Sequence, residues 1–220
     1  MGYRLSRNNG VYDSDTGLEK LAYYADQFGL SDKSGVEISE SAPKVSDFDA
    51  IRSAIGQGTN NYSTVGLARY VTTVANSGNC YNLSLLSKAT DADGNLIADY
   101  TPTLRNTVDL KQSTWDAIHQ GMRKVVEDKD YYKDLTIQVA GKTGTAQENR
   151  KRANHALFVF YAPYEQPQIA IATRIAFGYA SDYAAQVTKD IVKYYFKLED
   201  ESSLITGTAE STNVVQSAGD

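Results

Sequence analysis

Residues 141 to 147 read Gly-Lys-Thr-Gly-Thr-Ala-Gln. Extended on the edge of a sheet, such a run carries one cation on Lys142 and two hydroxyls on Thr143 and Thr145. Gly144 adds no side chain, so a ligand can lie against the strand and take main-chain hydrogen bonds. That combination suits a carboxylate and an acyl group. Gly141, Lys142 and Thr143 also fit the end of a phosphate-binding loop, but that loop needs a glycine five residues before Gly141, where Thr136 stands. The phosphate reading fails. A lysine on an edge strand can also serve only to discourage pairing with other chains. Lys-Thr-Gly alone fits that role as well; the longer run argues against it.

The elements that must position this run are legible as an α+β pattern. Thr16-Gly-Leu-Glu19 reads as a capping box opening a helix with Leu18, Leu21, Ala22, Ala25 and Phe28 on one face and Gly29 as its stop. A second helix is predicted from Thr64, turning Val65, Ala68, Val71, Val74 and Ala75 inward, with Asn76-Ser77-Gly78 as its end. A third opens at Ser113, with Asp116 three residues on, and buries Trp115, Ile118, Met122 and Val125 or Val126. Leu83 to Leu86 and Leu96 to Ile97 flank Asp93-Gly94 as a hairpin. Asp91, Asp93 and Asn95 imitate the start of a calcium loop, but Leu96 stands where glycine is required and Pro102 where glutamate is, so the segment reads as a turn.

After Val139 the period changes. Residues 142–147, 155–162 and 168–175 are three strand candidates, joined by the charged loop 148–152 and the turn 163–167 into an antiparallel meander. Ser181 is predicted to cap a final helix that lays Ala184, Val187, Ile191, Val192 and Tyr195 on the sheet. From Glu199 onward, acidic and Ser/Thr-rich residues without periodicity predict a disordered tail over 199–220.

Composition narrows the function. A net charge of −5 with scattered lysine and arginine gives no basic stripe for nucleic acid. The single cysteine, Cys80, allows no intrachain disulfide, and with His119 and His155 as the only histidines no metal site is expected and no cofactor is implied. No apolar run is long enough to cross a bilayer, and Met1-Gly-Tyr-Arg-Leu5 does not read as a signal peptide.

Four blocks in order carry a resemblance. Ile55-Gly-Gln-Gly58 with Tyr62-Ser-Thr-Val-Gly-Leu-Ala68, then Ile118-His-Gln-Gly-Met-Arg-Lys-Val-Val126, then Val139 to Gln147, then His155-Ala-Leu-Phe158 with Tyr161-Ala-Pro163 resemble class B penicillin-binding proteins. The Gly-Gln-Gly and Thr-Ala-Gln details are most similar to the elongation-type enzymes that build the side wall. Lys-Thr-Gly is one of three motifs of that family, beside S-x-x-K and S-x-N. The resemblance implies a penicillin-binding-protein/β-lactamase-like transpeptidase domain in which a serine forms an acyl-enzyme with a peptidoglycan peptide stem and passes it to an amine; β-lactams trap the intermediate. It implies that Lys142 supplies positive potential, a hydrogen bond to the S-x-N serine and a share in proton transfer. Thr143 and Thr145 hold the substrate carboxylate, the Thr145 N–H is one of two oxyanion donors, and Gly144 lets the substrate approach. Full-length members of the family are membrane-anchored, with this domain outside the cytoplasmic membrane.

The two other motifs have tempting matches. Ser41-Ala-Pro-Lys44 and Ser77-Gly-Asn79 precede Lys142 in the family's order. The mechanism needs the serine at the start of a buried helix with the lysine one turn later on the same face. Ser41 instead lies in the polar stretch 38–47 with Pro43 inside the motif, and Ser77-Gly-Asn79 is the helix stop already assigned. Ser6-Arg-Asn8 and Ser211-Thr-Asn213 fit the second pattern equally, so all four read as decoys. In the family S-x-x-K and S-x-N precede the counterpart of Gly2-Tyr-Arg-Leu5. Residues 1–198 are therefore expected to be the C-terminal part of the domain, with its N-terminal half as a partner. The edge near residues 168–175, which pairs with early strands in the family, is expected to be open to self-association. Two functions fit: a transpeptidase part that is inactive alone, and a non-catalytic module that binds peptides or partners with the same wall.

The decoy assignment has a direct check. The isolated chain is expected to resist covalent labelling by a fluorescent penicillin; labelling that disappears on Ser41→Ala would restore a complete site within it.

Overall fold

The computed structural model describes residues 2–148 and 151–204. In chain order these form α1 (Gly2–Leu5), β1 (Arg7–Asn8), β2 (Val11–Tyr12), α2 (Ser14–Gln27), α3 (Ala50–Ser53) and α4 (Thr64–Ala75). Then come β3 (Asn79–Asn82), β4 (Lys88–Thr90), β5 (Leu96–Asp99), β6 (Thr103–Thr107) and α5 (Gln112–Glu127). The last third holds β7 (Ala140–Ala146), β8 (His155–Ala162), β9 (Ile169–Ile175), α6 (Ser181–Tyr195) and α7 (Glu201–Leu204). The α+β architecture is the predicted one.

The predicted meander forms as three antiparallel strands in the order β7-β8-β9. Side chains alternate across β8 and separate two cores. Ala156, Phe158 and Phe160 join Ala184, Ala185 and Val192 of α6 on one face, with Tyr132 against them. Val159 and Tyr161 join Val71 and Val74 of α4 and Met122 of α5 on the other. The sheet is thus a middle layer, with α4 and α5 on one side and the C-terminal helix on the other.

Several boundaries differ from expectation, each for a local reason. α2 is capped by Asp13, whose carboxylate accepts the Asp15 N–H at 3.0 Å and the Thr16 hydroxyl at 2.6 Å, so Thr16 is a first-turn residue and not the cap. Ser113 and Ser181 lie inside their helices, which start without a capping side chain. Ser63 does cap α4, accepting the Gly66 N–H at 3.0 Å. Of the two valines offered for α5, Val126 is the buried one. The hairpin at Asp93-Gly94 forms between β4 and β5, but its first strand is Lys88–Thr90 and not Leu83 to Leu86; β3 pairs with β6. The Asp91 carboxylate takes the N–H groups of Asp93 and Asn95, the bonds of a turn. Glu201–Leu204 form one helical turn within the expected tail, and residues 205–220 lie outside the described ones.

The inner face of α6 is also rotated. Ala184 and Val192 face the sheet as predicted, joined by Ala185 and Thr188, whereas Val187, Ile191 and Tyr195 are 44%, 39% and 51% exposed. Small residues win because Phe158 and Phe160 already fill the space beneath. Thr188 also gains partners there, with Thr173 Oγ1 at 2.7 Å and the Ala184 carbonyl at 2.8 Å. Apolarity alone ranks isoleucine above threonine and misses this.

One buried charge organises the helical side. Arg69, in the middle of α4, is fully buried. Its guanidinium donates to the Gly29, Asp32 and Lys33 carbonyls and to the Asp32 carboxylate at 2.7 Å. This binds the chain that leaves α2 to α4, and Gly29 makes the approach possible: at φ +72°, a Cβ there would lie 2.7 Å from Arg69 Nε and 2.8 Å from Cys80 Sγ. Arg69→Met would strand three carbonyls and remove one of the two arginines on the Asp32 carboxylate. It is expected to cost about 3–5 kcal/mol in urea unfolding, while Arg52→Met, on a side chain 71% exposed, should stay within about 0.5 kcal/mol.

Candidate functional site

β7 carries residues 141 to 146 of the heptapeptide, one residue short of its end at Gln147. Among the described residues it has one neighbour, β8, with Gly141 opposite Phe160, Lys142 opposite Val159, Thr143 opposite Phe158, Gly144 opposite Leu157 and Thr145 opposite Ala156. The Lys142 ammonium is exposed and donates to the Thr143 carbonyl at 2.7 Å. A carbonyl reached by that ammonium faces away from β8. In a strand the N–H and C=O of one residue point the same way and alternate residue by residue, so Thr143 and Thr145 present their main-chain groups on the open side. Thr145 is exposed and Thr143 half-buried. The four residues singled out from the sequence therefore share one accessible edge with a cation, two threonines and main-chain groups that no strand pairs among the described residues.

The strand is held at its entrance and along its length. Arg123 of α5 donates to the Val139 carbonyl at 3.0 Å, just before β7 begins. Gly141 is required by packing: a Cβ there would lie 2.4 Å from Phe158 Cζ and 3.0 Å from the Val159 carbonyl. Phe158 cannot retreat, because it is 1% exposed and stacks on Tyr132 at 6.2 Å, and the Tyr132 hydroxyl is fixed to the Ala185 carbonyl at 2.7 Å. At Gly144 a Cβ would come within 3.3 Å of Leu157 Cβ, a tighter fit than the open ligand approach read from the sequence.

The serine patterns fall elsewhere. Ser41 lies in a segment without regular structure, and Lys44 pairs with Asp47 at 3.1 Å, so no helix face joins that serine to that lysine. Ser77, at φ +58°, and Gly78, at φ +117°, end α4, as expected of a helix stop. Ser6 is buried, its hydroxyl on the Gly2 carbonyl at 3.0 Å. Ser211 to Asn213 lie outside the described residues.

Sequence reasoning gave no role to a second polar chain. Ser77 Oγ lies 3.2 Å from His119 Nε2, and His119 Nδ1 lies 2.6 Å from the Tyr161 hydroxyl. Burial holds the imidazole below its usual range, opposed by Asp116, and pushes the Tyr161 hydroxyl well up, so both stay neutral near pH 7. Tyr161 pairs with Ala140, two residues along β7 from Lys142 and five from Thr145, which at the rise of a strand puts it about 7 Å from the first and about 17 Å from the second. Among the described residues no three His, Cys, Asp or Glu side chains converge as metal ligands, and no helix is long and apolar enough to cross a membrane.

Comparison with known proteins agrees with this geometry. Residues 5–193 match the family model described as the penicillin binding protein transpeptidase domain. Penicillin-binding protein 2B of Streptococcus pneumoniae is 27% identical over 212 residues, covering 86% of this chain and 31% of its own. Peptidoglycan D,D-transpeptidase MrdA of Haemophilus influenzae is 28% identical, covering 81% of this chain and 33% of its own. The chain thus spans about a third of the length of these relatives. Among solved structures, penicillin-binding protein 2B of Streptococcus pneumoniae R6 superposes with a TM-score of 0.72 at 26% identity, over 83% of this chain and 33% of that one. The imipenem acyl-enzyme complex of penicillin-binding protein A from M. tuberculosis gives 0.73 at 20% identity, over 82% of this chain and 42% of that one, a likeness of fold.

The wall depends on a glycine that only packing demands. Gly141→Ala is expected to lower stability by about 1–3 kcal/mol through overpacking on Phe158. Gly121→Ala, at an exposed α5 position whose added Cβ meets nothing within 4 Å, should raise it by up to about 1 kcal/mol. Chemical denaturation of both variants checks the contrast.

Proposed function

Because the chain belongs to the penicillin-binding protein transpeptidase family, we propose that it is the part of a peptidoglycan D,D-transpeptidase domain that supplies the substrate wall, working with an upstream half that supplies the nucleophile. The resemblance to class B, elongation-type enzymes agrees with relatives called penicillin-binding protein 2B and peptidoglycan D,D-transpeptidase MrdA. The observation that carries the proposal is the open edge of β7, with Lys142 and Thr145 exposed and the Thr143 carbonyl turned outward.

In this reading the serine oxygen of the upstream half attacks the carbonyl of a D-Ala-D-Ala stem. Its proton passes through the neighbouring lysine and serine to the departing D-Ala nitrogen, and the acyl group stays on the serine. The Thr145 N–H, on the open side of β7, shares the negative charge that develops on the carbonyl oxygen with the N–H of the nucleophile. Lys142 sets the positive potential that draws in the terminal carboxylate and orders the S-x-N serine, while the Thr143 and Thr145 hydroxyls hold that carboxylate. An incoming amine then displaces the serine and completes the cross-link, and a β-lactam stops the sequence at the acyl-enzyme. Nothing in this scheme asks for a metal or cofactor.

The test supplies the upstream half of a matching transpeptidase domain in trans and measures acylation by a fluorescent penicillin. Lys142→Ala is expected to lower the acylation rate on the order of 10²-fold or more, with little change in stability. Lys88→Ala, on the distant β4 strand, should leave it unchanged. Equal, small effects would reduce Lys142 to a solvated strand residue, and reversible binding without acylation would favour the non-catalytic module.

A further inference from the structure

β7 is tied at its entrance by Arg123, and its exit, beside Thr145, is tied by a residue with no role in acylation. His155 opens β8 directly opposite Ala146 and is 6% exposed. The Phe177 N–H donates to its Nδ1 at 3.2 Å, and Arg174 Nη2 lies 3.3 Å from the same nitrogen. Both are donors, so Nδ1 is the accepting nitrogen. The ring proton therefore sits on Nε2, which faces the Glu148 carboxylate at 2.8 Å. Glu148 is the second residue after β7 ends, and Phe177 the second after β9 ends. One imidazole on the central strand thus holds the exits of both edge strands, and the Phe177 ring packs on it at a centroid distance of 4.9 Å.

Resting on the transpeptidase reading, we propose that His155 is a positioning residue that clamps the exits of β7 and β9 and thereby fixes the Thr145 N–H where the reacting carbonyl needs it. Among the described residues β7 has a single neighbour, and it has two glycines in seven residues, so its exposed end frays unless something beyond the ladder holds it. An oxyanion donor is effective only when held within about half an ångström of its productive place. The fixed tautomer makes the clamp directional. The charged groups around the ring are Glu148 from the loop after β7, Arg174 from β9 and Arg152, whose guanidinium lies 5.4 Å over the Phe177 ring; Lys151 adjoins Arg152 in the chain.

The two arms can be cut separately. Asn at position 155 places an acceptor near Nδ1 and keeps the Phe177 arm; Gln places a donor near Nε2 and keeps the Glu148 arm. Amide hydrogen exchange of the chain reads the result at Phe177 and at Ala146, whose N–H faces β8 by the same alternation that turns the Thr145 N–H outward. His155→Asn should raise exchange at Ala146 about tenfold and spare Phe177, and His155→Gln should do the reverse. Glu148→Ala, at a side chain 60% exposed, cuts the β7 arm without touching the core and should reproduce the Ala146 effect should the histidine variants not fold. Unchanged exchange at Ala146 in Glu148→Ala, or unchanged exchange at Phe177 in His155→Gln, overturns the clamp. The measurement needs no catalysis: protection that follows these arms in a chain that never supports acylation keeps the clamp and removes the transpeptidase reading, and acylation without such protection does the opposite.

Discussion

The open edge proposed as the binding wall exists because β7 lies along one side of β8 at a spacing that only a glycine at position 141 permits. An added methyl group there would sit 2.4 Å from the Phe158 ring. Phe158 is wedged by Tyr132 and by the small residues Ala184 and Ala185 of α6. The strand therefore takes its place from aromatic packing on the α6 face, while among the described residues no strand pairs with its opposite edge. In the proposed role, Thr145 is held by contacts that lie on the other side of the backbone from where it would act. This separates stability from chemistry: Lys142 and Thr145 face solvent, and the residues that fix them do not.

The other face of the sheet is built differently. There α4 and α5 meet β8 through aliphatic side chains around Tyr161, and the loops beyond α2 are gathered by a buried guanidinium in place of an apolar core. Asp32 is shared between Arg69 and Arg105, so β6 is drawn into the same network. A buried arginine whose donors are nearly all taken by carbonyls is costly to disturb and specifies one arrangement of the loops it touches. Arg123 extends the same device to the site, joining α5 to the residue before β7. Polar pins position the wall from one side and aromatic packing positions it from the other.

The elements were legible where a single physical signal dominated. The three strands were read within two residues of their observed ends because apolar alternation, a charged loop and a Pro-flanked turn all agree there. α4 was read from its apolar spacing and its Asn-Ser-Gly stop. Misreadings came where two signals compete: Thr16 and Ser113 look like caps from composition, but a cap is defined by which N–H groups lack partners, and neighbouring residues settled that. Leu83 to Leu86 look like a strand because they are apolar, yet the partner of β5 is Lys88–Thr90, chosen by the length of the turn at Asp91.

By itself the sequence determined the chemistry available: a cation, two threonines and a glycine in one extended run, in an α+β setting whose four ordered blocks resemble one family. Those are properties of residue type and spacing, and they survive without coordinates. Only the tertiary structure decided that Gly141 answers to Phe158, that Arg69 is buried, that α6 turns alanine and threonine inward in preference to isoleucine, and that His155 joins Glu148 to Phe177. Each of these depends on which surfaces meet across the sheet. Two residues far apart in the chain carry no mark of being partners until the strands between them are in register.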